Sequence, residues 1–171
     1  MATITELLQE MEHEANTTRK MLAQIPDDKL DFRPHPKSMD IRALATHIAE
    51  IPGWLSIIIE KDELDFAGDP YVAPPVNSAK DLLAVFEKSY QEGYNALKGA
   101  DESQFSKPWT MRAGEEIFSV LPKSENIRHT FCQTVHHRAQ LGVFLRLLDV
   151  PIPGSYGPSA DEMEEYNKKL S

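Results

Sequence analysis

The residues of this sequence best suited to chemistry are imidazoles carried at helical spacing. In the run FCQTVHHRAQL, residues 131–141, His136 and His137 stand side by side. Adjacent positions on a helix point about 100° apart, so the two histidines do not serve one site. His129, Gln133 and His137 recur at intervals of four and lie along one stripe. From His129 to His137 that stripe covers about 12 Å of helix axis, too far for both to ligate one ion. A one-metal site here must use neighbours, His129 with Gln133 or Gln133 with His137. A further imidazole, His47 in IRALATHIAEI, shares the apolar side of its helix with Ala43, Leu44 and Ile51, and a buried imidazole needs a partner. His47 facing His137 across a bundle would supply two nitrogens. Three protein ligands and an open position make a reactive divalent-metal site. The residue one turn before His137, where the third ligand belongs, is Gln133, whose neutral oxygen is a weaker ligand than imidazole for zinc or nickel. A site formed by His47, Gln133 and His137 would bind metal with weakened affinity, and the pairing of His129 with Gln133 stays open on spacing alone.

A second metal reading starts from Glu10-Met11-Glu12-His13 and from Glu50 three residues after His47. Di-iron bundles use Glu-x-x-His on two helices and a further Glu from each of the others. Here the last helix has Gln133 where the carboxylate is needed, and the His47–Glu50 pair runs in reverse order. Cys132, on an apolar helix, is expected to be inert buried packing rather than a nucleophile. Glu50 is expected to be exposed, the alternative being that it orients the free nitrogen of His47. His136 is expected to pack or to support His137, and His13 to be solvated. His35 is placed at the pocket entrance, His129 against the hairpin and Tyr156 over the pocket.

Positioning these groups requires long helices. Residues 3–24 carry Ile4, Leu7, Leu8, Met11, Ala15, Thr18 and Leu22 at three- and four-residue spacing, and Pro26 ends that pattern. Ser38 or Asp40 can cap a second helix. It should kink rather than stop at Pro52-Gly53, because Trp54 to Ile59 resumes the apolar pattern. GDPYVAPPVN is a loop by composition. Ser78-Ala79-Lys80-Asp81 resembles a capping box opening a third helix to Leu97. Aromatic and β-branched residues on both sides of Arg112-Ala113-Gly114-Glu115 predict a small hairpin. The last long helix spans 123–148, is expected to be the most buried, and is stopped at Pro151. A short acidic helix follows at 161–169. The fold class is all-α: a four-helix bundle with a small β-hairpin before the last long helix.

At 171 residues the chain fits one domain over 1–171. Its formal net charge of −9 excludes a nucleic-acid partner, which needs a basic footprint. No apolar stretch is long enough to cross a membrane, and the N-terminal residues lack a signal pattern. One cysteine suits a reducing compartment, so the expected location is cytoplasmic.

ALATHIAEI, QTVHHRAQL and the tail LLDVPIPGSYGPSADE together resemble the DinB-like (DinB/YfiT-type) metal-binding four-helix bundles, over nearly the whole chain. The resemblance implies a homodimer holding nickel or zinc with three histidines, one from the second helix and two from the last in the pattern His-x-x-x-His-Arg. His47 matches the first and His137, directly before Arg138, the last; the middle position falls on Gln133. It further implies a small-molecule substrate and, from characterised relatives, a low-molecular-weight thiol in transferase or isomerase chemistry. A metal at this site would lower the pKa of a bound thiol or water for attack on a small electrophile. The alternative is a non-catalytic, stress-related bundle protein that binds a small ligand in a vestigial metal pocket.

Overall fold

A computed structural model describes residues 3–68 and 71–170 of the chain. Its helices begin where short polar side chains take the amides that a first turn leaves unpaired. α1 (Ile4–Leu22) opens on Thr3, whose Oγ1 accepts from Glu6 N while the Glu6 carboxylate accepts from Thr3 N. α2 (Ile41–Glu50) opens on Asp40, which accepts from Ala43 N at 2.8 Å. Of the two expected caps, Asp40 is the one used. α4 (Ala79–Lys98) opens on Ser78, which accepts from Asp81 N. The Asp81 carboxylate accepts from Asn77 N, one residue short of a reciprocal capping box. α5 (Lys123–Leu147) follows Pro122 with no side-chain cap. Its first amides donate instead to the carbonyls of Lys107 and Phe105, which ties the helix to the chain entering the hairpin.

The kink predicted at Pro52-Gly53 is a 3-10 turn, Ile51–Gly53, between α2 and α3 (Trp54–Glu60). It is held by a close approach to α4. A Cβ on Gly93 would lie 2.0 Å from the Pro52 carbonyl oxygen, a clash with backbone that only glycine avoids. This contact sets the direction in which Trp54 leaves the helix that carries His47.

The hairpin consists of β2 (Pro108–Ala113) and β3 (Glu116–Pro122), antiparallel, with Gly114 at φ 59° in its turn. A third strand, β1 (Glu63–Asp65), pairs parallel to β2. Its sequence, ELD, has low β-propensity and gave no sign of a strand. Arg112 secures it by bonding the Glu63 carboxylate at 2.7 and 2.9 Å and approaching Asp65 at 2.9 Å. The loop reading of GDPYVAPPVN holds for 71–77, while 69 and 70 lie outside the described residues.

Two apolar clusters fill the bundle. One joins Leu22, Ile41, Leu44, Ile48, Phe86, Leu141 and Leu145; the other joins Leu7, Met11, Leu55, Ile58, Leu97, Trp109, Ile127 and Phe131. α5, expected to be the most buried helix, exposes Ala139, Gln140, Val143, Arg146 and Leu147 in its second half. One face of α5 packs and the other meets solvent. The helix also ends before Pro151: Asp149, at φ 57°, adopts the left-handed conformation of a helix stop, and Val150 N donates to Leu145 O. A tail then leads to α6 (Ala160–Leu170), anchored by Asp161 against Arg146 at 2.6 Å. The Arg146 guanidinium and the Ile152 N–H hold the Asp161 carboxyl at about 2. Among the described residues, no helix is long and apolar enough to cross a membrane.

Candidate metal centre and ligand cavity

His47 sits in the last turn of α2 and His137 past the middle of α5, two elements that pack against each other. Their rings stand edge to face with centroids 4.6 Å apart and an interplanar angle of 79°. Both are half-buried. Burial pushes the His47 imidazole below its ordinary value, and the neighbouring His137 adds to the shift. His47 is thus held neutral, the form in which imidazole binds metals or accepts protons. On the far side of His137, Nδ1 lies 2.9 Å from Gln140 Oε1. That contact fixes the orientation of the His137 ring.

Gln133 lies one turn before His137 and, with His47, borders a cavity of about 190 Å³. Neither the His47 ring nor the Gln133 amide has a hydrogen-bond partner among the described residues, so both are available to a ligand. Two imidazoles bound to one ion at the usual metal–nitrogen distance place their centroids about 5 Å apart, and the observed pair is close to that. Gln133, exposed on α5, lines the cavity with His47. No group of three or more His, Cys, Asp or Glu side chains suited to a metal occurs among the described residues. Two imidazoles with a neutral amide oxygen would make a weaker donor set for a divalent ion than three histidines.

Several expectations change. His129 lines the same cavity and makes no hydrogen bond to the hairpin; its place on the 129–133–137 stripe was the signal. His136 is exposed, its ring 4.9 Å from that of His137. Cys132 is exposed rather than buried, because the packed face of α5 passes through Phe131 and Thr134 instead. His35 is exposed and its Nδ1 accepts from Lys37 N; it does not line the cavity. Glu50 is half-buried and accepts from the Tyr71 hydroxyl at 2.7 Å. The di-iron arrangement is absent among the described residues: Glu10 is paired with Arg128, and His13 is exposed and stacked on Tyr156.

Tyr156 does not close over the histidines. It covers a buried ion pair that sequence reasoning missed. Arg138, 2% exposed, lies 2.6 Å from Glu14 Oε2 and donates to Glu14 O, Thr18 Oγ1 and Tyr156 Oη. Tyr156 Oη in turn donates to Glu14 Oε1 at 2.8 Å. The signal was available, since Glu14 falls on the apolar stripe of Met11, Ala15 and Thr18. A carboxylate there must find a cation.

Helices around an interhelical histidine pair, with a small sheet closing one side, define a four-helix-bundle protein of the DinB type. The DinB family profile matches residues 1–169, and the chain belongs to the DinB family. It is 25% identical over 164 residues to the uncharacterized protein YrdA of Bacillus subtilis (strain 168), covering 96% of this chain and 94% of that one. Among solved structures, a DinB-like protein from Bacillus cereus ATCC 10987 superposes with a TM-score of 0.70 at 26% identity, covering 90% of this chain and 98% of the other. A mycothiol-dependent maleylpyruvate isomerase shares the fold, with a TM-score of 0.59 at 15% identity over 82% of this chain and 61% of that one.

Proposed function

We propose that this DinB-family chain binds a small molecule beside a weak divalent-metal site formed by His47, Gln133 and His137. The observation that carries the reading is the edge-to-face pairing of His47 with His137, with His47 and Gln133 both bordering one cavity. Nickel or zinc held there would supply Lewis acidity toward a thiol or water. The chain's own groups do the rest: His47 and His137 present nitrogens, Gln140 orients His137, Gln133 offers its amide oxygen, and the cavity walls exclude water from the reacting molecule. A low-molecular-weight thiol is the proposed co-substrate, on the ground that the same fold carries mycothiol-dependent chemistry in a structural relative. Transfer of the thiol to a small electrophile is the proposed reaction.

The neutral third donor favours one alternative, a metal-free binding protein in which the two histidines and Gln133 hydrogen-bond the ligand directly. Metal content of tag-free protein, with melting curves in added zinc and nickel, separates the two. The metal reading expects up to one ion per chain and a rise in melting temperature that grows with metal concentration. No bound metal and no shift with either ion would sink it and leave the binding protein.

A further inference from the structure

The cavity behind the histidines has walls of a consistent character. Ile51, Trp54, Ile58, Trp109 and Met111 form its apolar side. Its polar side chains are amides, a hydroxyl, imidazoles and indole N–H groups, and several are engaged: Asn126 Nδ2 donates to the carbonyls of Leu121 and Pro122, and the Thr130 hydroxyl to Asn126 O. None of the described residues lining it is Lys, Arg, Asp or Glu. Trp109 is 1% exposed, and its Nε1–H is buried with no acceptor among the described residues, a donor that a carbonyl oxygen would satisfy. At about 190 Å³ the space slightly exceeds the roughly 150 Å³ apolar cavity that admits benzene.

We infer that this cavity takes an uncharged molecule of single-ring aromatic size and rejects the corresponding carboxylate. In the metal-free protein, burying an anion against two indoles, two isoleucines and a methionine strips its hydration with no lysine or arginine to pair it. The chain's net charge of −9 opposes its approach as well. The inference rests on the cavity being the substrate side of the proposed site, but not on the metal.

The chain contains two tryptophans, Trp54 and Trp109, and both line the cavity, so its indole fluorescence reports from these walls alone. Benzamide and benzoate are matched in shape and differ in charge. Titration of chelator-treated protein with each at pH 8, read by tryptophan fluorescence and calorimetry, should give benzamide the lower Kd by at least tenfold. Met111→Lys, which places a cation in the half-buried wall, should narrow or reverse that ratio. Equal or tighter binding of benzoate to the unmodified protein would overturn the inference, as would no response to either compound at millimolar concentration. Benzamide preference without any metal uptake would cost only the metal reading. Metal uptake with benzoate preferred would cost only this one.

Discussion

On one side of α5, His137 stands half-exposed opposite His47, beside a cavity of about 190 Å³ and a Gln133 amide with no protein partner. On the other side, Arg138 is enclosed by Glu14, Thr18 and Tyr156, and the void beside that pair, bordered by Glu14 and Thr18, is about 20 Å³. The two residues are adjacent in sequence and about 100° apart on the helix. The difference separates two uses of polar groups inside a bundle. At the buried ion pair, the charges meet at 2.6 Å, the Thr18 and Tyr156 hydroxyls join them, and the space closes. At the cavity beside His47, the Gln133 amide and the buried Trp109 Nε1–H have no partner among the described residues, and much of the wall is apolar. The His-Arg dipeptide thus joins a site residue to a clamp that fixes the rotation of the helix carrying it.

The largest effect expected is from Arg138→Met. It leaves Glu14 buried without a cation and should cost about 3–5 kcal/mol of stability by chemical denaturation. His137→Ala, one residue earlier, should cost under about 1 kcal/mol, as for a half-exposed side chain away from the core. Similar losses from both would erase the distinction between the two sides. Gln133→His should tighten zinc or nickel binding by tenfold or more, measured calorimetrically, because imidazole replaces a neutral oxygen. Unchanged affinity would mean that position 133 does not share an ion with His47 and His137. Tyr156→Phe removes the hydroxyl that bridges Arg138 and Glu14, at about 1 kcal/mol, and should leave metal and ligand binding unaltered. Altered binding would place the tail over the ligand side after all.

The smallest effect is a pH slope. His47 is depressed by burial and by His137, so in acid the unfolded chain takes up a proton there that the folded chain refuses. Stability of metal-free protein should therefore fall as pH drops below the ordinary histidine value of about 6.5. His47→Gln should flatten that part of the profile. A slope unchanged by the substitution would assign it to other groups.

Much of this was legible in the sequence because it rests on local rules. The helices follow from apolar residues at three- and four-residue spacing and from candidate caps at Ser38 or Asp40 and at Ser78, while the Thr3 capping box was not read from the sequence. The kink follows from Pro52-Gly53, and the hairpin from Gly114 between β-branched segments. The pairing of His47 with His137 needed only the facing sides of two helices and is seen at 4.6 Å. The misreadings concern side chains whose surroundings come from distant parts of the chain. Cys132 and His136 lie on the face of α5 that no other helix covers, and hydrophobicity along a run does not say which face that is. β1 exists through Arg112, 47 or more positions away along the chain, and not through any propensity of Glu63-Leu64-Asp65.

What the sequence by itself determined is therefore the set of helices, their stops and the stripe on which the histidines lie, since all depend on contacts within a turn or two. Only the tertiary structure decided that Tyr156 guards Glu14 and Arg138 instead of the histidines, and that Trp109 and Met111 wall the cavity. Those outcomes depend on where the tail and the sheet pack against the bundle. That packing is a sum of weak, non-directional burial terms over the whole molecule, and no local pattern records it.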